Sequence, residues 1–235
     1  MKVLAEITLS GTADFPRRWD PWTGTFVTAQ WKKCGYCECE LQGGSPNVEH
    51  YAPKGNVTRL AEDGVEDPST QRVNGRKEAP VHATGYWWHA YEWDNWLVAC
   101  EKCNTRWKMN LFPVAEDPHP PPAPGTAYTP LLLNPYQGPD PEEHLEFDSA
   151  GGVVARSGSQ RGTDTIRTCG LDRPSLVEAR HSALVRCLAD LDLISTGLLD
   201  ESAIDRLMEP GRPYAAAVRC ALWRRLRELA TPSPS

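Results

Sequence analysis

The chain has 235 residues, 40% of them apolar, and a formal net charge of −6 from 25 basic and 31 acidic side chains. That length suits one good-sized domain or a small catalytic module with a second subdomain, and the apolar share excludes global disorder. The acidic balance argues against strong nucleic-acid binding through bulk charge, but not against an enzyme held on its substrate by a partner.

No apolar run approaches the ~18–20 residues needed to cross a bilayer, and the opening MKVLAEITLSG is too short and polar for a signal peptide. A cytoplasmic location is therefore expected, where eight cysteines are no disulfide framework and the paired spacings among them point to metal.

Residues 1 to 113 hold the paired cysteines and most of the aromatic residues. Cys34-Gly35-Tyr36-Cys37 and Cys100-Glu101-Lys102-Cys103 are C-x2-C knuckles, and two such turns supply four thiolates for a tetrahedral structural Zn²⁺. The 62 residues between them exceed what a small zinc finger needs, so a functional insertion is expected there. Cys39 reads as a spare thiol, and Cys169, Cys187 and Cys220 as packed ones.

Inside the insertion lies Val48-Glu49-His50-Tyr51-Ala52-Pro53-Lys54. Glu49 has the hard oxygens that Mg²⁺ or Mn²⁺ prefers, and a neutral His50 has a lone pair for an attacking water's proton. After the second knuckle, a helix starting at Cys103 would put Asn104 and Lys108 on one face, four residues apart. Zinc would fix that helix against the His50 strand and bring the Asn104 amide near Glu49. Tyr51, Lys54, Arg106 and Lys108 are candidate backbone contacts, at even odds with solvated side chains. The aromatic run from Gly85 to Trp96 could stack bases, but a small zinc module needs its rings as core, and the core reading is preferred.

Residues 114 to 141 form a proline-rich linker or wrap whose PLLLNP segment is apolar enough to dock. Residues 142 to 235 begin with a β-hairpin, HLEFD to VVAR, around a glycine turn. A helix with Pro174 in its first turn follows, with Leu176, Leu184, Leu188 and Leu191 at helical spacing. A last helix, near 213 to 229, has Val218, Leu222, Leu226 and Leu229 on one stripe and Arg219, Arg224, Arg225 and Arg227 around it. The closing TPSPS reads as a frayed tail.

VEHYAPK, WDNWLVACEKCN and WKMNLFP together resemble the HNH endonucleases, whose catalytic unit is a ββα-metal finger. The resemblance implies a metal-dependent phosphodiesterase in which His50 is the general base, Asn95 positions the loop, and Glu49 and Asn104 hold the catalytic Mg²⁺ or Mn²⁺. Two positions depart from the commoner pattern, with Glu49 standing where Asp is usual and Asn104 where His is more frequent. CGYCE, LLLNP, DPEEHLEFD and TIRTCGLDRPSLVEAR narrow the likeness to the HNH subunit of the Septu anti-phage system, relatives of which occur in some retron cassettes. That likeness spans roughly residues 31 to 185 and implies an ABC-type ATPase partner. The expected architecture is α+β: an HNH finger with a treble-clef-like, four-cysteine zinc site, then the hairpin and an α-helical C-terminal region.

DNA is favoured over RNA as substrate, with tRNA cleavage by the same fold as one alternative and a zinc-ribbon interaction module without catalysis as another. From Gln30 to Pro113 there are ten Lys/Arg and eleven Asp/Glu, so the catalytic region has no basic surplus and dependence on a partner is expected.

Overall fold

All the described strands pair antiparallel, in three small sheets, and helices fill the C-terminal third. The computed structural model describes residues 15–41, 46–61, 70–200 and 202–230, apart from the side chains of 229 and 230. The opening stretch weighed as a signal peptide, Leu229 of the last apolar stripe and the TPSPS tail lie outside the described residues.

Helix α1 (Thr23–Ala29) leads into the first knuckle. Strand β1 (Asn47–His50) pairs with β5 (Trp96–Ala99), with Glu49 opposite Leu97 and His50 opposite Trp96. Strands β2 (Val57–Leu60), β3 (Gln71–Val73) and β4 (Arg76–His82) make a second sheet in the order β2-β4-β3. All four β5 residues are buried, which explains why Trp-Leu-Val-Ala reads as a continuous apolar run without alternation.

The segment after the second knuckle is helical, as expected, but it starts at Lys102 and is a π-helix, Lys102–Lys108. Met109 N–H donates to the Asn104 carbonyl five residues back, at 2.8 Å, and Met109 ends the segment at φ +47°. π-Turns are uncommon and cluster at functional sites. Here the wider turn sits between a cysteine of the knuckle, Cys103, and a fully buried lysine, Lys108.

Residues 114–140 carry no described helix or strand, only isolated bridges such as Val114 with Pro130. Leu132 and Leu133 anchor this stretch in the core, each contributing about 1.5–3 kcal/mol by burial. The hairpin forms from β6 (Leu145–Phe147) and β7 (Val153–Ala155), and Asp148 Oδ1 accepts from the Ala150 and Gly152 amides at 2.8 Å to shape its turn.

Four helices follow among the described residues: α2 (Gln160–Cys169), α3 (Pro174–Ser195), α4 (Ala203–Met208) and α5 (Ala215–Ala230). Gly170 ends α2 in the left-handed region, and a Cβ there would lie 2.0 Å from the Trp107 ring, so glycine lets the π-segment dock on α2. Leu176, Leu184 and Leu191 of α3 are buried, while Leu188 is half-buried. On α5 the buried stripe ends at Leu222; Leu226 faces outward, 38% exposed. One apolar core joins the knuckle region to the helices, from Cys34 and Leu97 through Leu132 to Leu184 and Leu222.

Candidate metal centre and active-site cleft

The four knuckle sulfurs lie within 4.8 Å of one another, with Cys37 Sγ 3.9 Å from Cys100 Sγ. A tetrahedral zinc with Zn–S bonds near 2.3 Å holds its sulfurs about 3.8 Å apart, so Cys34, Cys37, Cys100 and Cys103 are compatible with a zinc site. The outer groups suit thiolates: Arg173 Nη2 reaches Cys103 Sγ at 3.4 Å, and the Cys103 amide points at Cys100 Sγ at 3.5 Å. Gln30 ties the first knuckle to β5, its amide accepting from Val98 N–H at 2.7 Å and donating to the Val98 carbonyl at 2.8 Å. Cys39 is half-buried beside the cluster, outside the four-sulfur set; Cys169 and Cys187 are fully buried and Cys220 half-buried.

Across β1 from this cluster opens a cleft of about 680 Å³, lined by Glu49, His50, Lys54 and Asn104 from the expected set. His50 is 6% exposed, its ring held edge-on against Trp19 with centroids 4.6 Å apart. Its Nε2 lies 3.0 Å from the Ala90 carbonyl, which only accepts, so the proton sits on Nε2 and the lone pair on Nδ1. Burial, and then the Lys54 ammonium 3.5 Å from Nδ1, push His50 down to about 3, which leaves it a neutral base over the physiological range. Burial also lowers Lys54; Glu49 opposes that shift, while Lys108 and Arg17 add to it.

Asn95 holds the loop that follows His50. Its Oδ1 accepts from the Ala52 amide at 2.7 Å, and its Nδ2 donates to the carbonyls of Ala52 and His89 at 3.0 and 3.1 Å. With the Tyr51 amide bound to the Asn95 carbonyl, the side chain is engaged with backbone and does not line the cleft. Gly85 packs against the same loop, where a Cβ would lie 2.2 Å from the Gly55 carbonyl.

Over 171 residues, 72% of this chain, the sequence is 33% identical to the Septu protein PtuB of Bacillus mycoides (strain KBAB4). The chain is a relative of PtuB. It spans about half of that protein's length, 51%. No protein-family model matches the chain, and no solved structure matches it significantly.

Two of the expected substrate contacts in this PtuB relative lie elsewhere. Arg106 is exposed, pairs with exposed Glu101 at 3.1 Å and does not line the cleft. Lys108 is wholly buried, its ammonium 2.6 Å from Glu49 Oε1 and 3.0 Å from the His50 carbonyl. Helical spacing puts Asn104 and Lys108 on one face; the protein uses that face inward, with Lys108 beneath the β1 backbone and Asn104 at the cleft wall. The aromatic run divides as well: Tyr86 and Trp96 are core, whereas Trp93 is 48% exposed against Trp22 and Phe26.

The pair of Glu49 and Lys108 positions groups more than it stabilises the fold. Burial raises Glu49 above the usual carboxylate range, and the attraction of Lys108 offsets this only in part. Breaking such a pair from one side leaves an uncompensated buried charge and costs about 3–5 kcal/mol. Lys108→Met is expected to lose about that much in urea unfolding, and adding Glu49→Gln to recover a large part of it. A loss below about 1 kcal/mol would contradict the buried pairing.

Sequence reasoning missed Trp19, Phe15 and Arg17, which line the cleft from the N-terminal side. They lie outside every motif, and only the fold brings them to His50.

Proposed function

We propose that the chain is a metal-dependent HNH-type endonuclease that hydrolyses phosphodiester bonds, with DNA as substrate. The observation that carries this reading is the geometry at His50: Nε2–H is held by the Ala90 carbonyl, so Nδ1 is the unprotonated nitrogen, in a cleft shared with Glu49 and Asn104. Strands β1 and β5 with the π-segment are read as the ββα-metal finger, and the cysteine cluster as its zinc scaffold.

The oxygen donors at the cleft, the Glu49 carboxylate and the Asn104 amide, suit a hard cation. Mg²⁺ or Mn²⁺ bound there would polarise the scissile phosphate and stabilise the leaving oxygen. His50 Nδ1, toward which Lys54 Nζ donates at 3.5 Å, takes the proton of the attacking water once Lys54 turns to the phosphate. Lys54, beside that nitrogen, bears positive charge where the phosphate's negative charge builds up. Asn95 keeps the His50 loop in register without touching the substrate.

The kinship with the Septu protein PtuB supports a role in anti-phage defence, and the reading takes the chain as an effector subunit acting in the cytoplasm with an ABC-type ATPase as partner. No helix of the described residues is long and apolar enough to cross a membrane.

Co-purified with the product of its neighbouring gene, the chain is expected to cut labelled DNA in the presence of Mg²⁺ or Mn²⁺ and to stop when EDTA is added. Cleavage of tRNA alone would transfer the same chemistry to the alternative substrate. Absence of cleavage of either polymer with either ion would leave the zinc-ribbon interaction module as the better reading.

A further inference from the structure

The cleft has a second wall that no motif announces. Residues Phe15 to Trp19 run along it, and Tyr91 Oη donates to the Pro16 carbonyl at 3.1 Å to pin the segment down. Buried Trp19 joins the two walls, its ring edge-on to His50 and under the Lys54 ammonium, which lies 4.8 Å from the ring centroid. Arg17 lines the cleft with Lys54 and His50. Beside it, the Arg18 guanidinium stands 5.6 Å over the Tyr91 ring. Two cations, Arg17 and Lys54, thus line the cleft with His50, and Arg18 stands next to Arg17 outside that lining, in a chain whose net charge is −6.

Other arginines are committed to the protein itself. Arg219 pairs with Glu142 and Arg224 donates to the Phe147 carbonyl at 2.6 Å, whereas Arg106, in an exposed pair with Glu101 much like that of Arg17, lies outside the cleft lining. Arg17 has one ion-pair partner among the described residues, Asp20 at 3.1 Å, with both side chains largely in solvent. Such pairs contribute about 0–1 kcal/mol, so exchanging Asp20 for a phosphate in a bidentate grip is easy.

We propose that the Phe15–Trp19 segment is a phosphate-gripping wall, in which Arg17 and Arg18 bind backbone phosphates flanking the scissile one and Lys54 faces the scissile phosphate itself. This rests on the nuclease reading and names the residues that hold its substrate. Arg17 and Arg18 lie outside the stretch from Gln30 to Pro113, whose ten basic and eleven acidic residues give it no surplus.

The test uses His50→Ala in the co-purified complex, so that substrate is bound and not consumed. Anisotropy of a labelled DNA duplex, and separately of an RNA hairpin, is followed against KCl concentration. Each phosphate no longer neutralised on duplex DNA lowers the slope of log K against log salt by about 0.9. Adding Arg17→Gln and Arg18→Gln is expected to reduce the slope by roughly that amount per residue, whereas Arg106→Gln leaves it unchanged. Arg17→Lys with Arg18→Lys should keep the slope, because the charge remains. A slope unaltered by the two glutamines, with binding intact, overturns the wall alone. Failure of the His50→Ala complex to bind either polymer overturns the nuclease reading beneath it.

Discussion

Removing the zinc proposed for the four-cysteine cluster is expected to unfold the region around the His50 cleft, and this is the largest single effect the structure predicts. A metal on the four thiolates would join two segments 62 residues apart, the turn after α1 and the start of the π-segment. In small zinc-finger peptides the apparent binding free energy is about 10–16 kcal/mol, and it acts as folding free energy. Here the consequence reaches the cleft, because the π-segment that starts at the second knuckle carries both Asn104 and Lys108. Without zinc, four thiols crowd together, one of them, Cys103 Sγ, 3.4 Å from the buried Arg173 guanidinium. Chelation, or Cys103→Ala, should shift tryptophan fluorescence to the red and collapse near-ultraviolet dichroism. About one zinc per chain is expected by elemental analysis. A chain that is metal-free as purified yet fully folded would show that the cluster is no zinc site.

His50→Ala is expected to lower the cleavage rate by about 10²–10⁴-fold while leaving the fold in place. The size follows from the role assigned to the residue. Nδ1 is the unprotonated nitrogen, and the Ala90 carbonyl fixes the tautomer. The fold should tolerate the loss because the Ala90 carbonyl keeps a second donor, Trp96 Nε1 at 3.0 Å, and the pairing of β1 with β5 is made by backbone. The missing ring leaves a void against Trp19, a cost to stability of the order of a few kcal/mol. The activity loss should therefore persist at temperatures where dichroism shows the variant folded.

Much of the zinc cluster is legible in the sequence, because C-x2-C spacing is a local property: one tight turn presents two thiolates. The hairpin and the helix from Pro174 are legible for the same reason, being set by a glycine turn and by proline at a first helical position. The fate of Lys108 is not. Helical spacing puts it near Asn104, but whether a lysine faces solvent or a buried carboxylate depends on β1, more than fifty residues away. The same holds for Arg17 and Trp19, whose neighbours at His50 and Lys54 are set by tertiary packing alone. Leu226 fits an apolar stripe, yet burial stops at Leu222, since periodicity shows which side of a helix is apolar but not how far its cover extends.

Whether His50 is the base of a phosphodiester-cutting cleft is tested most directly by single-turnover scission of labelled DNA. The partner-bound chain is assayed in Mg²⁺, comparing wild type with His50→Ala at equal zinc content. Metal-dependent cleavage is expected of the wild type, and a rate lower by about 10²-fold or more of the variant, with unchanged dichroism. Equal rates in the two proteins would contradict the assignment of His50 as the base.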